Sequence, residues 1–401
     1  MEKFFISTPP GFEKLVIQEM RQAWPHLVTQ DKTPNNHVFP EIKVTKGGLE
    51  FEADLALAVQ FNVFLKIANR ILLRVDSFRA RDFSHLCDKA GKRRWGNWLR
   101  QGPLEVHASA SQSRLGNEKR IIETLREALR DFDEHQNLPA AKWEINQSVF
   151  VRAEKDLFEL SVDTSGEHLH KRGFRTYVGV APLRETLAAG ILKFLLTGLS
   201  DEEINKFTLF DPMAGAGTFL LEAATLFAPL AKRRFAFENF KVTPAWVNNA
   251  IGSIRARKLK ASDGVRSAFR KFVGMDEDTG VLEALKKNVS SICLEMNDLG
   301  SMKGENIDVE ALQGSFWEFT TGELKAKLGD QLFVVVNPPY GKRIKVEDPD
   351  YFEKLVDRIS ELDPKRTAMI LPRGQTIQTR KSVRKLDFEN GGIPVTCWVI
   401  G

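Results

Sequence analysis

The sequence predicts an α/β protein whose larger, C-terminal part is a doubly wound sheet. Three observations predict it. A short apolar strand ends at Asp211 and passes through the small-residue turn Pro212–Gly217 into an apolar helix from Thr218. A continuous apolar run, Leu332–Val336, has the composition of a strand buried on both faces and stops at Asn337-Pro338-Pro339-Tyr340. Around these two stretches strand patterns alternate with helix patterns, as a parallel sheet requires.

With 401 residues the chain has room for about two or three domains. Hydrophobic content of 42% and charged content of 28% exclude a disordered or fibrous protein. No apolar run reaches the length of a membrane span, and the start, Met1-Glu2-Lys3-Phe4-Phe5, has no signal-peptide core. The three cysteines, Cys87, Cys293 and Cys397, are scattered and odd in number, which fits free thiols in a reducing cytoplasm. A net charge of +5 permits a polyanionic partner without identifying one.

The N-terminal third reads as a compact α/β region. Lys3–Ser7 is a strand, Thr8–Gly11 a turn, and Glu13 to about Trp24 a helix with Leu15, Val16, Met20 and Ala23 on one face. Short strands follow near Ile42–Thr45 and Leu49–Glu52, and Asp54 is read as the cap of a helix through Ala68. Arg70–Ser77 is a strand, and Asp82 caps a helix that ends near Lys92-Arg93-Arg94-Trp95. Leu104–Ala110 alternates with period two, Asn117–Phe132 is a helix, and Val149–Ala153 with Leu157–Asp163 form a hairpin. The strand ending in Ala108-Ser109-Ala110-Ser111, then Ser113-Arg114, the helix and the hairpin resemble a THUMP domain, an RNA-binding module. A basic cluster such as Lys92–Arg94 is by itself equally a solvated face. The resemblance favours phosphate contacts by Arg93, Arg94 and Arg114.

Between the two parts lies His168-Leu169-His170-Lys171-Arg172-Gly173-Phe174-Arg175. No further ligand stands at metal spacing from the two histidines, so no metal is expected. Basic residues around an aromatic suit a nucleic-acid surface, with Lys171, Arg172 and Arg175 as candidates. Pro182 opens a helix with the apolar stripe Leu183, Leu187, Ile191 and Leu195, which Gly198 ends.

The turn after Asp211 carries Gly215 and Gly217, which allow a tight bend and close approach of a ligand, and the helix behind offers free N–H groups. A dinucleotide fingerprint needs a third glycine where Leu220 stands, and a phosphate loop needs a lysine where Thr218 stands. What remains suits a cofactor with a hydroxylated ribose and no pyrophosphate, and S-adenosylmethionine fits. A Lys- and Arg-rich insertion, Pro229 to about Arg270, delays the next strand, Phe272–Asp276. Asp276 is placed either to accept ribose hydroxyls or to cap the helix Thr279–Val289. Strands are also expected near Asp308–Gln313, Thr367–Leu371 and Val395–Ile400, with a helix from about Asp350 to Leu362.

At Asn337–Tyr340 a Pro-Pro pair could serve as a rigid turn alone. Flanked by Asn and Tyr, it reads as a clamp for a planar amino group. The Asn337 side-chain oxygen and the Pro338 carbonyl are two fixed acceptors, Pro339 stiffens the turn, and Tyr340 offers a stacking face. Acceptors that draw an aromatic amine out of plane localise its lone pair and aim it at a sulfonium methyl.

Asp211–Thr218 followed by Asn337–Tyr340, each at a strand end, resembles the class I S-adenosylmethionine-dependent amino-methyltransferases. Ala181–Ala189, Arg234–Glu238 and Asn337–Arg343 narrow the resemblance to THUMP-containing guanine-N2 RNA methyltransferases. That family implies a ferredoxin-like subdomain over 1–69, a THUMP domain over 70–166 and a Rossmann-like seven-stranded methyltransferase domain over 167–401. It implies that Asp211, Met213, Gly215, Gly217, Asp276, Ser315 and Asn337 hold S-adenosylmethionine, and that Asn337, Pro338, Pro339 and Tyr340 hold the target guanine. Ser315 departs from the family, which often has Asp there for the adenine amine. The implied substrate is 23S ribosomal RNA, with transfer RNA the nearest alternative. DNA adenine, a protein glutamine and a non-catalytic assembly role are the remote ones. The chain ends at Gly401, after the last core strand, so the second methyltransferase domain that some relatives carry is not expected.

Overall fold

The computed structural model describes residues 1–30, 38–132, 147–173, 177, 183–230, 233–256, 269–298, 309–340 and 348–401. Two units organise the chain: Met1–Thr8, Val16–Leu169 and Leu230–Ser253 form the first, and Pro9–Leu15, His170–Pro229 and Ile254–Gly401 the second.

The elements of the first third are β1 (Glu2–Ser7), α1 (Glu13–Gln30), β2 (Lys43–Thr45), β3 (Gly48–Ala53), α2 (Leu55–Ala58), α3 (Phe61–Phe64), β4 (Arg70–Arg79), α4 (Phe83–Gly91), β5 (Leu104–Ser111), α5 (Glu118–Ala128), β6 (Gln147–Glu154) and β7 (Leu157–Asp163). Their strands share one seven-stranded sheet in the order β2-β3-β1-β4-β7-β6-β5. Period-two alternation explains it: Leu104 and Val106 are buried while Glu105 and His107 are exposed. Asp82 and Asn117 cap α4 and α5 through side-chain bonds to His85 N and Arg120 N.

One expected helix differs. Asp54 does cap, accepting from Ala56 N at 2.8 Å, but the helix through Ala68 is two short pieces, α2 and α3, and Leu65 is extended. Leu57, Val59, Phe61, Val63, Leu65 and Ile67 are all buried. That spacing of two would scatter apolar side chains around the whole circumference of one continuous helix.

The insertion also differs in allegiance. Leu230–Ser253 interrupts the second unit in sequence yet belongs to the first. Its backbone bonds there, Leu230 N to Val63 O at 2.6 Å, Phe237 N to Thr164 O at 3.1 Å and Lys241 N to Asn97 O at 2.9 Å. The Arg233 guanidinium donates to the carbonyls of Ser165, Glu167 and His168, and Phe235 stacks on Phe237 in the core.

The remaining elements are α6 (Glu185–Leu196), α7 (Asp201–Ile204), β8 (Thr208–Asp211), α8 (Thr218–Ala224), α9 (Ala245–Ala256), β9 (Lys271–Asp276), α10 (Thr279–Asp298), β10 (Val309–Gln313), α11 (Thr321–Leu328), β11 (Leu332–Val336), α12 (Tyr351–Ser360), β12 (Arg366–Pro372), β13 (Val383–Asn390) and β14 (Ile393–Ile400). The second sheet has the order β10-β9-β8-β11-β12-β14-β13. Strands β8–β12 are parallel, and β14 and β13 are antiparallel. The fold class is therefore that expected, a doubly wound Rossmann-like sheet. The chain moves outward one way through β8, β9 and β10, then resumes on the other side of β8 at β11. That is a topological switch point, and the carboxyl ends of β8 and β11 flank it. Helix α10 runs on past Val289 to Asp298, since no breaker interrupts it. Strand β13 was not anticipated: Val-Arg-Lys-Leu-Asp-Phe-Glu-Asn is an edge strand whose single deeply buried residue is Phe388.

Candidate active site

The turn after β8 is held from both sides. Ala214 N donates to Met275 O at 2.8 Å, Gly217 N to Ala214 O at 2.8 Å, and Gly215 N to Asp276 Oδ2 at 2.9 Å. Gly215 and Gly217 both sit in the left-handed region, at φ of 52° and 85°. Their surroundings differ. A Cβ on Gly217 would overlap Leu285 Cδ1, whereas a Cβ on Gly215 would meet nothing within 4 Å. Gly217 is therefore needed for packing and for opening α8, and Gly215 lines the open space a ligand would enter.

Two acids flank this turn. Asp211 is buried and accepts from Met213 N at 3.1 Å. Burial pushes its carboxyl up to about 8, helped by the nearby Asp276 charge and opposed by the Met213 bond. The alternatives for Asp276 are separated by its neighbour. Asp278 caps α10, accepting from Gly280 N at 2.7 Å and, by its carbonyl, from Leu282 N at 3.3 Å. Asp276 instead accepts from Gly215 N and from Asp278 N at 3.1 Å, which leaves its carboxylate lone pairs for two hydroxyls.

Sequence reasoning missed Asn288. This buried residue of α10 accepts from Tyr177 N at 3.2 Å and donates to Tyr177 O at 2.9 Å and to Ala216 O at 3.2 Å. It thus grips the residue between the two glycines. Its only sequence signal is an amide on the apolar side of a helix.

The second half of the site leaves β11, which pairs with β8 in parallel register, Val334 opposite Phe210. Adjacent strands lie about 4.8 Å apart, so the Asn337 turn and the glycine turn are neighbours at the carboxyl edge. Pro338 is buried and Asn337, Pro339 and Tyr340 are half-buried. Asn337 Oδ1 is shielded from solvent and has no hydrogen-bond partner among the described residues. A buried acceptor left open in this way costs stability, so it calls for a ligand donor. The Tyr340 ring packs against the core cluster, and its hydroxyl accepts from Asn390 Nδ2 at 2.7 Å. Burial raises its phenol above the ordinary value, and the Asn390 bond opposes this.

The rim is aromatic. Trp317 is 42% exposed, and its ring lies 5.9 Å from that of Tyr351, whose hydroxyl donates to Met213 Sδ at 3.6 Å. Burial, with Glu277 adding, pushes the Tyr351 phenol up to about 12. Ser315 Oγ accepts a long bond from Trp317 N at 3.5 Å in the turn after β10.

The basic residues fare unequally. Arg94 and Lys171 are exposed. Arg93 is ion-paired to Asp76, and Arg114, with its side chain 72% exposed, donates to Asp156 at 2.8 Å. Arg172 is a correction: its guanidinium is fully buried, donating to both carboxylate oxygens of Glu222 at 3.1 Å, so it presents nothing to a phosphate. A bidentate fork satisfies a buried carboxylate, and α8 supplies that carboxylate. Arg175 and Pro182 lie outside the described residues. Among the described residues no group of three or more His, Cys, Asp or Glu could hold a metal ion, and no helix is long and apolar enough to cross a membrane.

Comparison with known proteins gives this geometry a context. Residues 172–363 match the family described as RMKL-like, methyltransferase domain. A Cellvibrio japonicus protein named ribosomal RNA large subunit methyltransferase K/L is 30% identical over 356 residues, covering 86% of this chain and 43% of its own length. Its namesake in Methylococcus capsulatus is 28% identical over 348 residues, covering 85% of this chain and 42% of its own. The chain thus spans less than half the length of these relatives. Its fold is similar to that of a candidate methyltransferase solved with SAH, at a TM-score of 0.72 and 23% identity, covering 100% of this chain and 97% of the other. The matched residues include both the glycine turn and Asn337–Tyr340, and over them the chain is similar to the RMKL-like methyltransferase domain.

Proposed function

We propose that this protein methylates the exocyclic N2 amine of a guanine in structured RNA, with large-subunit ribosomal RNA as the substrate. The observation that carries the reading is the buried, unpartnered Asn337 Oδ1 beside the glycine turn. S-adenosylmethionine, when bound, supplies a methyl on a positive sulfur and leaves as the neutral thioether. Gly215 leaves room for it, Asp276 has lone pairs for ribose hydroxyls, and Met213 and Ser315 stand at the rim. Asn337 Oδ1 and the Pro338 carbonyl accept the two N–H bonds of the base amine, and Pro339 and Tyr340 fix the plane in which it lies. Held in this way, the nitrogen lone pair would be aimed at the methyl that the cofactor supplies, and the proton the amine then gives up would pass to water. No strong base is needed, because the alkylated amine is acidic; positioning supplies the rate.

In this reading residues 1–69 and 70–166 are the ferredoxin-like and THUMP parts of an RNA-binding region, and 167–401 carries the chemistry. Arg93, Arg94, Arg114 and Lys171 contribute phosphate contacts, and the work is done in the cytoplasm. The names of the two relatives, ribosomal RNA methyltransferases, support this substrate class over transfer RNA.

The test is transfer of label from S-adenosylmethionine to unmodified ribosomal and transfer RNA side by side. N2-methylguanosine in the ribosomal RNA digest is expected, and label only in adenosine, transfer RNA or protein would overturn the reading. Asn337→Ala is expected to lose about 100-fold or more in kcat while SAH binding, followed by calorimetry, survives.

A further inference from the structure

The closing hairpin reaches back to the acceptor half of the site. Gly391 and Gly392, at φ of 59° and 82°, make the two-residue loop between β13 and β14, and Asn390 pairs with Ile393 as the last rung. Strand β14 sets Val395 opposite Pro372, the last residue of β12, so this loop lies at the carboxyl edge of the parallel strands. There Asn390 Nδ2 donates to the Tyr340 hydroxyl at 2.7 Å. Two constraints therefore act on one ring. The core cluster holds its body, and an amide on the last rung of the hairpin holds its oxygen. A ring fixed only by packing can tilt, and a base stacked on it would tilt with it.

We propose that Asn390 is a positioning residue of this enzyme: by holding the Tyr340 hydroxyl it fixes the plane on which the target base stacks. The inference rests on Asn337–Tyr340 being the base clamp. Asn390 acts through Tyr340 and not on the methyl donor or the base itself.

The test is a double-mutant cycle on the full chain with Asn390→Ala, Tyr340→Phe and the pair. Each single change is expected to lower kcat about tenfold, the worth of one hydrogen bond, with SAH affinity unchanged. The double variant should be no slower than the slower single one. Multiplying effects, or a normal rate for Asn390→Ala, would overturn the proposal. A second measurement needs no turnover. The chain has three tyrosines, so the Tyr340 Cζ NMR resonance is identified by its loss in Tyr340→Phe. Asn390→Ala should shift that resonance and leave Tyr177 and Tyr351 in place. An unmoved resonance in an active protein overturns this inference alone. A shifted resonance in a protein inactive on every RNA overturns the clamp reading, and the role of Asn390 with it.

Discussion

Gly215 and Gly217 share a backbone conformation and differ in what surrounds them, so they separate ligand space from packing. Gly217→Ala adds left-handed strain to an overlap with Leu285, and is expected to cost about 2–5 kcal/mol in chemical denaturation. Gly215→Ala has the strain without the overlap, so about 1–2 kcal/mol is expected, together with a clear loss of SAH affinity. Equal stability losses would show that the two surroundings are not as different as described. Asp211 makes a prediction of the opposite kind, in pH. Its carboxyl rises from 3.8 in the unfolded chain to about 8 in the fold, so the native state keeps a proton that the unfolded state releases. Stability from this group is complete below the unfolded value and is lost as pH rises through the folded one. This contribution to the Tm of ligand-free protein should fall from about pH 4 to about pH 8 and level off above it, and Asp211→Asn should flatten that slope. An unchanged slope would mean that the carboxyl is already ionised at neutral pH. At this scale residue types were legible but not their partners: the acid at the strand end was plain, while its protonation depends on burial that sequence does not state.

Among elements, the apolar ones are legible in sequence and the charged ones are not. Strand β11 announces itself because burial on both faces leaves only Leu, Phe and Val. Strand β13 hides because its outward residues are charged, and a half-exposed edge resembles a loop. Arg172 misleads for a related reason. In sequence it is one of a basic string, and only the arrival of α8 shows that Glu222 takes its charge out of solvent. Arg172→Ala leaves that carboxylate buried alone, so a loss of about 3–5 kcal/mol in denaturant unfolding is expected. The salt dependence of RNA binding should stay that of the native protein. A smaller salt slope with stability intact would return Arg172 to the RNA surface.

At the scale of the molecule, the division of the chain is not linear. Phe235 and Phe237, placed by sequence inside the C-terminal part, are buried in the first unit. Phe237→Ala is expected to cost about 3–5 kcal/mol, read in denaturant unfolding, as for a core aromatic. A loss below about 1 kcal/mol would mean that the insertion is only a surface loop. The residues alone specify the alternation of strands and helices of a Rossmann-like fold, the glycine turn after Asp211 and the Asn-Pro-Pro-Tyr turn. Each of these is a local statement: a run of apolar residues, a glycine where φ is positive, a proline where the ladder stops. Tertiary contacts are what make Asp278 and not Asp276 the cap of α10, let Asn288 grip the glycine turn, bury Arg172, and bring Asn390 to Tyr340. Those are contacts between residues distant in the chain or choices among neighbouring acids. They are set by which surfaces burial brings together, and a single hydrogen bond leaves no periodicity by which to foresee it.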